Sequence, residues 1–216
     1  MRILVVAPHP DDEVLGVGGT IAKYVSEGHE VYVCIVTSVK DPLLFKEIRL
    51  ETSNAHKLLS IKETIFLDFP VVGLREMPNA KLNEKLLEVV NKIKPNIAFI
   101  PHKGDMHIDH GEVANSAMVA LRPINNPQLK AIYTYETLSE TEWNIPTVDN
   151  AFIPNVWSDI SKTIEIKIQA MELFKSQLKE FPHPRSSKAI ESLSQYRGST
   201  ICVNNAECFM LVRNII

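Results

Sequence analysis

Short aliphatic runs alternate along this chain with stretches whose apolar residues recur every three or four positions. Ile3 to Ala7 is a continuous apolar run closed by Pro8 and Pro10, as expected of a strand buried on both faces. Residues Gly18 to Glu27, GGTIAKYVSE, have the spacing of a short amphipathic helix, Gly28 stands where a C-terminal cap belongs, and Val31 to Val36 is a second aliphatic run. The alternation continues with helices expected over about Leu44–Leu59, Leu82–Ile93 and Glu112–Leu121, and strands at Thr64–Leu67, Ile97–Pro101 and Ala131–Tyr135. Beyond residue 150 the pattern loosens: Asp159–Lys179 reads as one long helix, FPHPRSS as a loop and Cys208–Val212 as a last strand.

Strands alternating with helices predict an α/β, doubly wound, mostly parallel sheet, Rossmann-like, with helices on both faces. No linker, repeat or low-complexity segment divides the chain, so residues 1–216 are expected to form a single domain. Ligands of such folds bind at the carboxyl ends of the strands, and a 3-2-1-4-5 order would bring the ends of the first and fourth strands together.

Composition narrows the function. With 216 residues, 45% hydrophobic and 23% charged, the chain should bury roughly 70% of its unfolded surface and needs no disulfide or metal staple to fold. The balance of 23 basic against 26 acidic side chains gives a net charge of −3, which argues against nucleic acid and anionic membranes as partners. Cys34, Cys202 and Cys208 are odd in number and lack C-x-x-C spacing, and no apolar stretch approaches the roughly 20 residues of a membrane span. The expectation is a soluble, cytoplasmic protein.

Two clusters carry candidate chemistry. His9-Pro10-Asp11-Asp12-Glu13 follows the first strand directly, and so many carboxylates beside a buried strand end repel one another unless a cation neutralises them. A solvated acidic turn capping the next helix is the plain alternative. The block His102-Lys103-Gly104-Asp105-Met106-His107-Ile108-Asp109-His110 follows the fourth strand. Mixed imidazole and carboxylate donors suit zinc, and iron, manganese and cobalt ions satisfy the same set.

PHPDDE after strand one, the block PHKGDMHIDH and YETLSETEW at residues 135–143 resemble the LmbE-like, or PIG-L, family of metal-dependent N-acetylglucosamine deacetylases. That resemblance implies a zinc-dependent N-deacetylase acting on a small N-acetylglucosaminyl substrate, such as N-acetylglucosaminyl-malate in bacillithiol biosynthesis, and it admits a homo-oligomer. It implies metal ligands at His9, Asp12 and His110, a base at Asp11, and an oxyanion donor at His107 oriented by Asp109. Either Asp11 or His107 would then protonate the leaving amine. Arg49 matches an arginine near the sugar in relatives, with a helix-surface pair to Glu47 or Glu51 as the alternative, and Asp105 is expected to contact substrate or to support the histidines. Glu13 reads as outer support or as a carboxylate favoured at a helix start. Arg197-Gly198 and Ala206-Glu207-Cys208-Phe209 resemble elements of the bacillithiol-type branch, whereas Ile108 stands where many relatives have proline.

Other readings are weaker. Gly16-Val17-Gly18-Gly19 lacks G-x-G-x-x-G spacing and follows three carboxylates that would repel a pyrophosphate. Asp105-x-His107-x-Asp109-His110 resembles the block of binuclear metallo-β-lactamase-like hydrolases, but the only later histidine is His183, in a proline-flanked loop that could cover the site. A non-catalytic metal- or nucleotide-binding module of the same fold, or another amide or ester metallohydrolase, completes the alternatives. His29 and His56 read as surface or packing residues.

Overall fold

The computed structural model describes residues 1–216. Its seven strands, β1 (Arg2–Ala7), β2 (Glu30–Ser38), β3 (Glu63–Pro70), β4 (Ile97–Pro101), β5 (Ala131–Tyr135), β6 (Val156–Asp159) and β7 (Ala206–Asn214), join one sheet in the order β3-β2-β1-β4-β5-β7-β6. The first five are parallel in the expected 3-2-1-4-5 order, and β7 and β6 extend that sheet antiparallel. Six α-helices cover it: α1 (Asp12–Ser26), α2 (Pro42–Leu58), α3 (Asn79–Ile93), α4 (Ile108–Ala120), α5 (Ile164–Glu172) and α6 (Ser187–Ser199).

Alternation along β1 builds two cores. Ile3, Val5 and Ala7 face α1, α2, α5 and α6, where Ile21, Ala55, Met171 and Ile190 meet them; Leu4 and Val6 face α3 and α4, with Leu86, Val90, Val113 and Ala117. Buried on both faces, β1 and β4 lie at the centre, so the loops after them are held by rigid neighbours. The glycines after β1 serve packing, as a side chain on Gly16 would strike the Tyr135 ring.

One expectation fails in the last quarter, and one helix there is not among those expected. The stretch 159–179 is not one helix. Asp159 closes a turn by accepting from the backbone N–H and hydroxyl of Ser161, α5 starts only at Ile164, and the chain beyond Glu172 opens so that Ser176 donates its N–H (2.9 Å) and hydroxyl (2.6 Å) to Glu51. Residues 187–199, too polar for a clear apolar stripe, form α6, which buries only Ile190, Ser194 and Gly198. No helix is long and apolar enough to cross a membrane.

Candidate metal centre and active site

The adjacency of β1 and β4 brings residues about 100 positions apart into contact. Asp12, the first residue of α1, directs Oδ2 to within 3.1 Å of His9 Nδ1 and 3.2 Å of His110 Nε2, and the two ring nitrogens lie 3.3 Å apart. Asp12 and His110 are fully buried. Two overlapping sets of three side chains have donor atoms close enough to share a metal ion: His9, Asp12 and His110, and His9, His107 and Asp109.

The first set fits better. Asp12 Oδ1 is buried without a hydrogen-bond partner, and a buried carboxylate oxygen left unpaired is costly unless something binds it. Both imidazoles have their far nitrogens occupied: His110 Nδ1 bonds Asp105 Oδ2 at 2.8 Å, and His9 Nε2 bonds Asp109 Oδ2 at 3.2 Å. A carboxylate behind each ring fixes its tautomer and aims the other nitrogen at Asp12, the usual arrangement behind metal-binding histidines. In the second set Asp109 Oδ1 is unpartnered as well, but Asp109 Oδ2 already accepts from Val72 N–H and His107 Nδ1 already accepts from Asp109 N–H, so two of its donor atoms are engaged.

Electrostatics point the same way. Burial opposes a charge on His110, but the neighbouring Asp12 and Asp105 carboxylates outweigh it and push the ring up to about 10. Burial likewise opposes charge on His9, yet its bonds to Asp109 and Asp12 raise it. Asp12, despite burial, is held well below the usual carboxylate range by His110 and His9. The cluster thus favours a concentration of positive charge that protons or a divalent cation can provide.

Asp11 stands apart from this set although it adjoins Asp12. Its backbone is left-handed, φ 105°, which turns its carboxylate away from Asp12's direction and onto a cavity of about 190 Å³. Burial pushes Asp11 up to about 8 against the pull of the Arg185 guanidinium, whose Nη1 donates to Asp11 Oδ2 at 3.1 Å. His107 lines the same cavity. It caps α4 by accepting Asp109 N–H at Nδ1, so its neutral ring carries the proton on Nε2; burial, then His9 and His110, lower it to about 4. The rest of the lining is mixed, with Arg49 and Gln177 beside Phe45, Ile48, Phe66 and Val71.

Several expected residues have unexpected partners. Asp109 Oδ2 is 3.9 Å from His107 Nδ1 but 3.2 Å from His9 Nε2, so Asp109 orients His9. Asp105 is absent from the cavity lining, with one oxygen on His110 and the other accepting from the Thr141 hydroxyl, so its carboxylate backs a histidine. Arg49 does line the cavity, but its partner is Asp68, not Glu47 or Glu51, and its guanidinium lies 3.4 Å over the Phe66 ring. His56 is no surface residue: it is buried and bonded to Glu13. Arg197 pairs with Glu136, and Glu207 with buried Lys167, so those terminal motifs bind elements together.

Arg185 escaped the sequence analysis altogether. It lies in the FPHPRSS loop, 174 positions from Asp11, and also reaches Ser139 Oγ (2.8 Å) and Glu140 Oε1 (3.2 Å). The only signal was an arginine inside a loop suspected of covering the site.

Known proteins are similar to this chain in sequence and architecture. Diacetylchitobiose deacetylase of Thermococcus kodakarensis is 24% identical over 83% of this chain and 71% of its own. The probable N-acetyl-alpha-D-glucosaminyl L-malate deacetylase 2 of Bacillus cereus is 24% identical over 82% of this chain and 83% of its own. The crystal structure of the conserved protein TT1542 from Thermus thermophilus superposes with a TM-score of 0.79 at 26% identity, covering 99% of this chain and 96% of that one. The model of the GlcNAc-PI de-N-acetylase family, PIG-L, matches residues 4–121, more than half of the chain and both clusters just described, and the protein therefore belongs to the PIG-L family.

Proposed function

We propose that this protein is a metal-dependent N-deacetylase that hydrolyses the acetamide of a small N-acetylglucosamine-containing molecule to acetate and a free amine. The observation that carries the reading is the His9–Asp12–His110 set, with Asp12 and His110 buried, His9 at the cavity wall and each histidine backed by a carboxylate, beside a separate carboxylate, Asp11, that faces the same cavity. Three protein donors leave a position open, as catalytic sites do. Zinc suits the donor set, and a divalent cation there supplies Lewis acidity, making water easier to deprotonate and the amide carbonyl easier to attack.

Asp11 takes a proton from the attacking water and returns it to the amine nitrogen as the C–N bond breaks. Its high proton affinity suits both halves of that task. His107, neutral and carrying hydrogen on Nε2, donates to the carbonyl oxygen as charge builds there. A neutral imidazole is a poor acid, which favours Asp11 as the donor to nitrogen. Arg49, braced by Asp68 and stacked on Phe66, offers N–H groups to sugar hydroxyls. Relatives named for diacetylchitobiose and for a glucosaminyl malate support the sugar amide as the substrate class and leave the group attached to the sugar open.

The test is release of primary amine and acetate from N-acetylglucosamine, diacetylchitobiose and N-acetylglucosaminyl-malate by zinc-loaded protein. Equimolar amine and acetate from one or more of them is expected. No release from any, with one zinc bound per chain, overturns the deacetylase reading.

A further inference from the structure

Glu13 and His56 are both buried, both ionisable, and take no part in the reaction outlined above. They form a chain that ends at Asp11. Thr64 Oγ1 on β3 meets His56 Nδ1 on α2 at 2.6 Å; His56 Nε2 meets Glu13 Oε1 on α1 at 2.8 Å; Glu13 Oε2 accepts the Asp11 backbone N–H at 3.2 Å. Since Glu13 can only accept, His56 Nε2 donates, and in the neutral ring Nδ1 then accepts the Thr64 hydroxyl.

Asp11 needs such a tether. Residues with a Cβ rarely hold a left-handed backbone, and those that do are over-determined by their surroundings. This conformation is what separates two consecutive aspartates, one toward the cavity and the other toward His9 and His110. A buried imidazole and carboxylate serve packing poorly, because desolvating them is costly, but they do fix one geometry.

We propose that His56 is a positioning residue for the reaction: through Glu13 it holds the Asp11 backbone in the conformation that presents the Asp11 carboxylate to substrate. The proposal rests on Asp11 as the base, and one readout is therefore independent of turnover.

The experiment compares wild type with His56→Ala, His56→Gln and Thr64→Val, measuring kcat, KM, zinc per chain and the hydrogen-exchange rate of the Asp11 amide. His56→Ala is expected to lower kcat by about tenfold, the scale on which outer partners of catalytic groups act, with KM and zinc unchanged and the Asp11 amide exchanging faster. His56→Gln, which keeps an N–H donor, should restore both. If His56→Ala fails to fold, Thr64→Val carries the test with a smaller loss in the same direction. Wild-type kcat and Asp11 exchange in whichever variant folds overturns the proposal, as does His56→Gln failing as badly as His56→Ala. If wild type turns over no amide, the base assignment falls, and the exchange rates alone decide whether His56 holds the Asp11 backbone.

Discussion

Replacing Arg185 with glutamine isolates the residue that sequence analysis missed. Its guanidinium joins Asp11 at 3.1 Å and Glu140 at 3.2 Å, with the arginine side chain 17% exposed and the carboxylates at 1% and 10%. At an effective dielectric of about 20 each pair attracts by about 5 kcal/mol, and desolvation of the three ions offsets most of that. Cutting one partner from a buried pair usually costs about 3–5 kcal/mol. Here the orphaned carboxylates have an escape: burial pushes Asp11 to about 8, so it accepts a proton readily near neutrality, and burial raises Glu140 in the same direction. The cost should therefore stop near 2 kcal/mol, a fall in melting temperature of about 4–8 °C for a chain of this size. Activity should suffer more, because a protonated Asp11 cannot act as base, and turnover at neutral pH should drop by roughly 10²-fold. The sign of the pH effect follows. Arg185 lowers Asp11, so its removal raises Asp11 further and moves the rising limb of the pH–rate profile to higher pH. Calorimetry and an amine-release assay across pH read both effects. An Arg185→Gln protein with the melting temperature and pH profile of wild type would refute the reasoning.

Three further outcomes are expected. Asp105→Asn removes the carboxylate behind His110 and should weaken zinc binding by about 10- to 100-fold in a chelator competition, with KM little changed at saturating zinc; unchanged zinc affinity would return Asp105 to the substrate side. Because Asp12 and Asp105 overcome burial to raise His110 to about 10, zinc must displace its proton, so affinity should fall on acidification by about tenfold per pH unit for each proton released. Titration calorimetry in two buffers of different ionisation enthalpy counts those protons, and a count of zero would contradict the cluster's electrostatics. Lys167→Met leaves Glu207 buried without its ammonium partner and should lower stability by about 3 kcal/mol in denaturant unfolding while leaving KM unchanged.

The parallel half of the fold could be read from the sequence because strands buried on both faces are continuous aliphatic runs, as in Ile3–Ala7 and Ile97–Pro101. Their two polar clusters then met as the strand order required. What failed depended on contacts between distant segments. The apolar spacing of 159–179 continues through the Asp159–Ser161 turn and the Ser176–Glu51 bonds, both of which break the helix without disturbing its pattern. The family resemblance pairs Asp109 with His107, but α4 begins so that His107 caps the helix while the Asp109 carboxylate crosses to His9 on the β1 loop. Glu13 and His56 lie 43 positions apart, and neither residue's local sequence signals that they meet.

The central claim is that Asp11 works as base beside a metal it does not hold. Metal-free wild type and Asp11→Asn are titrated with zinc while bound zinc and amine released from the preferred substrate are measured together. Wild-type turnover should rise linearly to one zinc per chain and then level, whereas Asp11→Asn should bind the same single zinc and lose roughly 10²-fold or more of the turnover. Turnover by metal-free wild type, or an Asp11→Asn protein that fails to bind zinc or that binds it and turns over normally, would contradict the account.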